Sequence, residues 1–358
     1  MTALEAYAAA RMAGVPAYRA GADSASPTGK LSSNESPFGP SPAIRAAIAA
    51  SIDAVNRYDN GRAVRDALAA NLGLPGERLI LTNGSDELCF LISTVFLARR
   101  DAVVVLSEPS YAIDVTVSVI AGAEVRRVPL VDGAHDLAAL AAASEGAQLL
   151  WLPVPHNPTG RAVDPAELLE LLAAVPDDCL VVLDEAYRGF VDEDALLDSI
   201  ALLEAHPNLL VQRTLSKDHG LAGLRVGYGL GSAPLVAALE AARGPFTVNA
   251  AGLAAARATL DSEPWRRMAV SLVRRERDHL HTLLDELGIE HVRSQANFVT
   301  VRIPWPAVRD ALGRHGLSVR AGEDLGLPGW CRISMGLPAP MARLRQVVRE
   351  YARERDAR

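Results

Sequence analysis

Lys217 stands in Arg213-Thr-Leu-Ser-Lys-Asp-His-Gly-Leu-Ala-Gly-Leu-Arg-Val-Gly-Tyr228, just past the apolar run Leu209, Leu210, Val211. A segment so rich in glycine and small residues reads as a loop at a strand end, so its amine is presented and not packed. An amine held in this way suits imine chemistry with a carbonyl compound. A lysine taken alone is usually a solvated surface residue; its company argues otherwise. Asn157-Pro-Thr-Gly160, Asp184-Glu-Ala-Tyr187 and Arg225 each fall at a strand-to-loop boundary. Thr82-Asn-Gly-Ser-Asp86 follows a further apolar run and opens an apolar helix, where free N–H groups and the helix dipole can hold an anion. Gly84, Ser85 and Asp86 form the expected cup, although such a string is also ordinary turn-and-cap sequence.

The elements that must position these groups follow from the hydrophobic pattern. Apolar runs over Arg78 to Thr82, Ala102 to Leu106, Gln148 to Leu152, Cys179 to Asp184, Asn208 to Thr214 and Val226 to Leu230 alternate with helix-length amphipathic segments. The spacing predicts an α/β fold: a mostly parallel sheet with helices on both faces and functional loops at the strand ends. After Gly244-Pro245 the pattern changes to long charged helices such as Trp265 to Gly288. Fewer strands follow there (Asn297 to Ile303, Leu317 to Arg320, Trp330 to Ser334), which predicts a smaller α+β domain. The Pro-, Ser- and Gly-rich start reads as an extended arm. The expected division is an arm over 1–45, a large domain over 46–245 and a small C-terminal domain over 246–358, within reach of a chain of 358 residues that is 49% hydrophobic.

Charge and composition exclude several classes. With 36 Lys+Arg against 43 Asp+Glu the net charge is -7, and no basic run offers a nucleic-acid face. Cys89, Cys179 and Cys331 are widely spaced, which gives neither a disulfide framework nor metal-ligand spacing, and a reducing cytoplasm is the expected compartment. The N-terminal residues lack a basic-then-apolar signal pattern, and the apolar stretch from Leu88 to Ala98 is too short to span a bilayer. The expectation is a protein with no membrane, nucleic-acid or metal partner.

These blocks, from Leu31-Ser-Ser-Asn-Glu-Ser-Pro-Phe-Gly-Pro40 to Cys331-Arg-Ile-Ser-Met-Gly336 and in family order, resemble the fold-type-I pyridoxal-phosphate aminotransferases of class I/II. Within these the likeness is to the histidinol-phosphate aminotransferase subfamily. The resemblance implies that pyridoxal 5'-phosphate is joined to Lys217, with Asp184 at the ring nitrogen, Tyr187 and Asn157 at the ring hydroxyl oxygen, and Tyr111 stacked on the ring. Ser216 and Arg225 add a hydroxyl and a cation to the phosphate cup. It further implies a homodimer in which Tyr58 reaches the neighbouring subunit's phosphate. Arg332, with Arg320 as a second member, would fork-bind the substrate's anionic group, and Tyr18 and Asn34 would close over the substrate. Plainer readings stand beside several of these: a helix N-cap for Asp184, a half-buried aromatic for Tyr187, a turn residue for Asn157, a core tyrosine for Tyr111.

Two departures from the subfamily concern ionisable groups. Pro153-Val-Pro-His156 replaces its usual Asn-Pro-Asn, and Asp218-His219 replaces an Ala-aromatic pair after the lysine. His219 either reads the substrate or simply fills the space of an aromatic ring. The implied reaction moves an amino group from an L-amino acid or amine, of the histidinol-phosphate or aromatic class, to a 2-oxo acid such as 2-oxoglutarate. The alternative keeps the cofactor but performs decarboxylation, elimination, cyclisation or oxidation. A ligand-sensing regulator of the same fold is disfavoured, since no basic helix-turn-helix extension is present.

Overall fold

In each inner strand, successive side chains point to opposite sides, and both sides are apolar. In Val103–Glu108, Val103 and Val105 enter one core while Val104 and Leu106 enter another. Leu149–Pro153 and Leu180–Asp184 divide in the same way. A strand buried on both faces must be covered by helices on both, and each fully buried Val or Leu adds about 2 kcal/mol of hydrophobic stabilisation. The computed structural model, which describes residues 1–13, 15, 21, 23–24 and 26–357, has that arrangement.

In chain order the strands are β1 (Lys30–Leu31), β2 (Leu79–Thr82), β3 (Val103–Glu108), β4 (Glu124–Pro129), β5 (Leu149–Pro153) and β6 (Leu180–Asp184). They continue with β7 (Leu209–Thr214), β8 (Gly227–Leu230), β9 (Phe298–Val301), β10 (Ser318–Ala321) and β11 (Cys331–Ser334). Seven form one sheet in the order β2-β8-β7-β6-β5-β3-β4, parallel except where β8 pairs antiparallel with β2 and β7. The other four form a second sheet, β1-β10-β11-β9, in which β1 joins β10 in parallel through Lys30↔Ser318 and Leu31↔Val319. The mostly parallel sheet was expected from the sequence. Edge strand β4, Glu-Val-Arg-Arg-Val-Pro and largely outside the core, was not.

Residues just past 245 still belong to the first sheet's core. Val248, Leu253, Ala255 and Ala256 pack there, and helix Ala250–Thr259 lies on helices Pro42–Ser51 and Arg62–Asn71. The second core gathers residues from Val270 onward together with Leu31 of the arm and Tyr187 and Phe190 from the segment after β6. The arm is stitched into the second sheet through β1. Among the described residues no helix is long and apolar enough to cross a membrane.

Candidate functional site

The C-terminal ends of β5, β6 and β7 and the helix after β2 converge on a cavity of about 1370 Å³. Lys217, Asp184, Tyr187, Asn157, Tyr111 and Asn34 line it, as do Ser85, Asp86, Ser216, Arg225, Arg320 and Arg332. Twelve of the sequence-predicted residues thus share one space.

Lys217 follows β7 in a tight turn, closed by Gly220 N–H donating to the Lys217 carbonyl at 3.1 Å and Leu221 N–H to Leu215 O at 3.0 Å. Its Nζ lies 5.7 Å from the centre of the Tyr187 ring. Asp184 ends β6, paired with Pro153 on one side and Gln212 on the other. One carboxylate oxygen accepts from Ala186 N–H at 3.0 Å. Burial pushes the Asp184 carboxyl up to about 7, opposed by the Ala186 N–H and the Gln212 side chain. A cation brought against this carboxylate would favour its charged form.

The anion cup has the required backbone. Helix Ser85–Phe96 has no side-chain cap at Gly84, and the amides of its first turn have no carbonyl one turn back to bond. Gly84 has φ 78°, and a Cβ on it would come within 2.5 Å of Arg225 Nη2. Gly227 brings β8 against the same turn; a Cβ there would lie 2.5 Å from the Ser85 nitrogen. Arg225 reaches Asp86 Oδ2 at 3.1 Å and Ser216 Oγ at 3.5 Å, and Tyr111 donates to Asp86 Oδ1 at 3.0 Å. The Asp86 carboxylate thus braces Arg225 and Tyr111, leaving its backbone amide for the cup. The residues fit pyridoxal phosphate: an uncapped helix start with glycines where side chains would intrude, a buried acid at a strand end, and a lysine across from it.

The opposite wall comes from the second sheet. Arg320 on β10 and Arg332 on β11 are paired residues, both buried. Arg332 donates to Asn157 Oδ1 at 2.7 Å and lies 5.2 Å from the Phe298 ring centre. Arg320 has Asp324 at 3.7 Å. Asn34, at φ 54°, donates from Nδ2 to the Tyr187 hydroxyl at 2.9 Å, and Ser334 and Asn297 fix it through its side chain and carbonyl. Asn157 Nδ2 stands 3.5 Å from that same hydroxyl.

Four expectations fall elsewhere. Tyr58 is 85% exposed on the single chain, stacked on Phe246 at 4.7 Å between ring centres. His219 does not line the large cavity: the turn after Lys217 carries it to a second, smaller one behind the lysine. His156 is buried against His135 with Nδ1 at 2.8 Å from Thr159 Oγ1, and burial lowers its pKa, so this departure is part of the interior. Tyr18 lies outside the described residues. Gln212, beside Asp184, was overlooked; a glutamine in the otherwise apolar start of Leu-Leu-Val-Gln-Arg-Thr was its signal.

A family model described as aminotransferase class I and II matches residues 28–348. The histidinol-phosphate aminotransferase of Geobacillus thermodenitrificans is 38% identical over 331 residues, covering 91% of this chain and 90% of its own. That of Symbiobacterium thermophilum is 42% identical over 314 residues, 86% of each. Among solved structures, histidinol-phosphate aminotransferase from Sinorhizobium meliloti in complex with pyridoxal-5'-phosphate superposes with a TM-score of 0.82 at 28% identity, over 91% of both chains.

Proposed function

The chain belongs to the class I and II aminotransferase family, and we propose that its amino donor is a phosphomonoester amine of the histidinol-phosphate class and its acceptor a 2-oxo acid such as 2-oxoglutarate. That it is a pyridoxal-phosphate aminotransferase of fold type I is the premise. The observation supporting the donor is the Arg320–Arg332 pair. Two buried guanidiniums on neighbouring strands line the same wall of the cavity and concentrate positive charge there. A doubly charged phosphate with several acceptor oxygens suits them better than a single carboxylate.

When bound, pyridoxal phosphate supplies a carbonyl carbon for the amine and a protonated ring that draws electrons from the substrate's Cα. Lys217 would hold the cofactor through that carbon, and its Nζ, once displaced by the substrate amine, would be the acid–base group that moves the proton from the substrate's Cα to that carbon. Asp184 stabilises the proton on the ring nitrogen. Asn157 and Tyr187 would orient the ring oxygen, Tyr111 would cover the ring face, and the first turn of helix Ser85–Phe96 with Ser216 and Arg225 would hold the phosphate. Arg320 and Arg332 orient the donor, and Asn34 closes the cavity above Tyr187.

The apolar, exposed Ile52, Val55, Tyr58 and Phe246 support a homodimer in which Tyr58 completes the partner's phosphate site. Three buried cysteines without a disulfide are in keeping with a cytoplasmic enzyme. A donor-by-acceptor screen that follows cofactor absorbance, oxygen and carbon dioxide tests the reading. Histidinol phosphate with 2-oxoglutarate should exceed dephosphorylated histidinol by at least about 100-fold in kcat/KM. Equal rates for the two donors, or carbon dioxide released in step with turnover, would reject it.

A further inference from the structure

The turn that carries Lys217 has a second side. Asp218 and His219 line a cavity of about 250 Å³ behind the lysine, and the proposed reaction uses neither. The Asp218 carboxylate accepts from Arg266 Nη1 at 3.0 Å, and Arg266 Nη2 donates to Glu263 at 2.7 Å. At 14% and 25% side-chain exposure, the Asp218–Arg266 pair is shielded more than surface pairs are. Gly189 makes room for it, since a Cβ there would collide with the Asp218 carboxyl group. Arg266 lies in the first turn of helix Glu263–Glu286, which goes on to bury Val270, Val273, Leu280 and Leu283 in the second core.

We propose that Asp218 and Arg266 are positioning residues for Lys217: their ion pair clasps the lysine's turn to the helix that carries the second core, and balances the charge behind the reactive amine. This rests on Lys217 being the residue that bonds the cofactor. On the rear side, the charged groups facing the pair are Glu263, Glu185, Arg188 and Arg213, with Glu185 and Arg213 joined at 2.8 Å. Towards the large cavity they are Asp184, Asp86 and Arg225, the last two paired with each other. Burial lowers the pKa of His219, which disfavours its charged form. Asp218, Glu263 and Arg266 are the directly bonded groups of this balance, with Arg267 also on Glu263 at 3.3 Å and Arg188 on Glu185 at 3.6 Å.

The test uses the cofactor-loaded enzyme and reads the pH midpoint of the absorbance change of the lysine-bound cofactor, with kcat and KM alongside. Asp218→Asn removes a negative charge and should lower the midpoint by about half a pH unit. Arg266→Gln should raise it by a similar amount, and the double variant should return it close to the parent. Either single change should lower kcat on the order of ten-fold with KM little altered. Glu263→Gln should lower the midpoint but spare kcat, because Asp218 keeps its partner; it supplies a second variant if Arg266→Gln fails to fold. Midpoints that move in the same direction for Asp218→Asn and Arg266→Gln, or parental midpoint and kcat in Asp218→Asn, would overturn the clasp. Borohydride should fix the cofactor on Lys217 in every variant; a label on another lysine would overturn the clasp together with the reading it rests on.

Discussion

Asp184→Asn should stabilise the cofactor-free protein at alkaline pH while abolishing catalysis. Burial raises the folded-state pKa of Asp184 from 3.8 to about 7. A carboxyl raised in this way contributes stability that is fully present below its unfolded pKa and is lost as pH rises through the folded value, because the unfolded chain releases the proton first. Three units correspond to about 4 kcal/mol at pH 8, and the part falling between pH 5 and 7 is about 3 kcal/mol. Asparagine carries no charge to bury. Its oxygen can keep the Ala186 N–H bond. The stability difference, variant minus parent, should therefore grow by about 3 kcal/mol from pH 5 to pH 8. Urea unfolding of both cofactor-free proteins measures it, and other titrating groups cancel in the difference. Turnover of the loaded variant should fall by several orders of magnitude, since an amide cannot stabilise a protonated ring nitrogen. A difference independent of pH would refute the account of Asp184 as a buried acid destabilising to its own fold.

Gly227→Ala should weaken cofactor retention at least ten-fold in equilibrium dialysis, because the new methyl group would displace the Ser85 amide. Retention equal to the parent would mean that the first turn of helix Ser85–Phe96 is not the cup. Mixing Tyr58→Phe with Lys217→Ala chains should give heterodimers with one site carrying both lesions and one carrying neither. Activity that fits independent single-chain sites would refute the shared arrangement.

Much of this was legible because the inner strands bury both faces: their unbroken apolar runs stand out, and their ends mark where Lys217, Asp184 and Asn157 must sit. Less legible was whatever depends on the other side of a turn. Asp218-His219 follows the lysine directly, yet Gly220 and Leu221 fold the turn so that one residue faces the large cavity and the next two the small one. Arg266, which answers Asp218, looks like any charged residue of an amphipathic helix until the fold brings them together. Asn34 depends on Ser334 and Asn297, partners from the far end of the sequence that local pattern cannot connect. Strand β4 escaped notice because an edge strand with charged side chains lacks the apolar signature.

The pairing of β1 with β10 constrains how the protein is made. The strands of the seven-stranded sheet all lie between Leu79 and Leu230, and its core is finished by helix Ala250–Thr259, so it can close while the ribosome is still translating the rest. The second sheet cannot, because its first strand, Lys30–Leu31, waits for Ser318–Ala321, a neighbour far along the chain. Leu31, held in that core at 1% exposure, has most of its apolar neighbours still to come in the interval. A nascent chain can thus acquire the Asp184 and Lys217 loops before Arg320 and Arg332 exist. Release before β10 emerges would leave a half-walled site and an unmated strand, a target for chaperones and proteases.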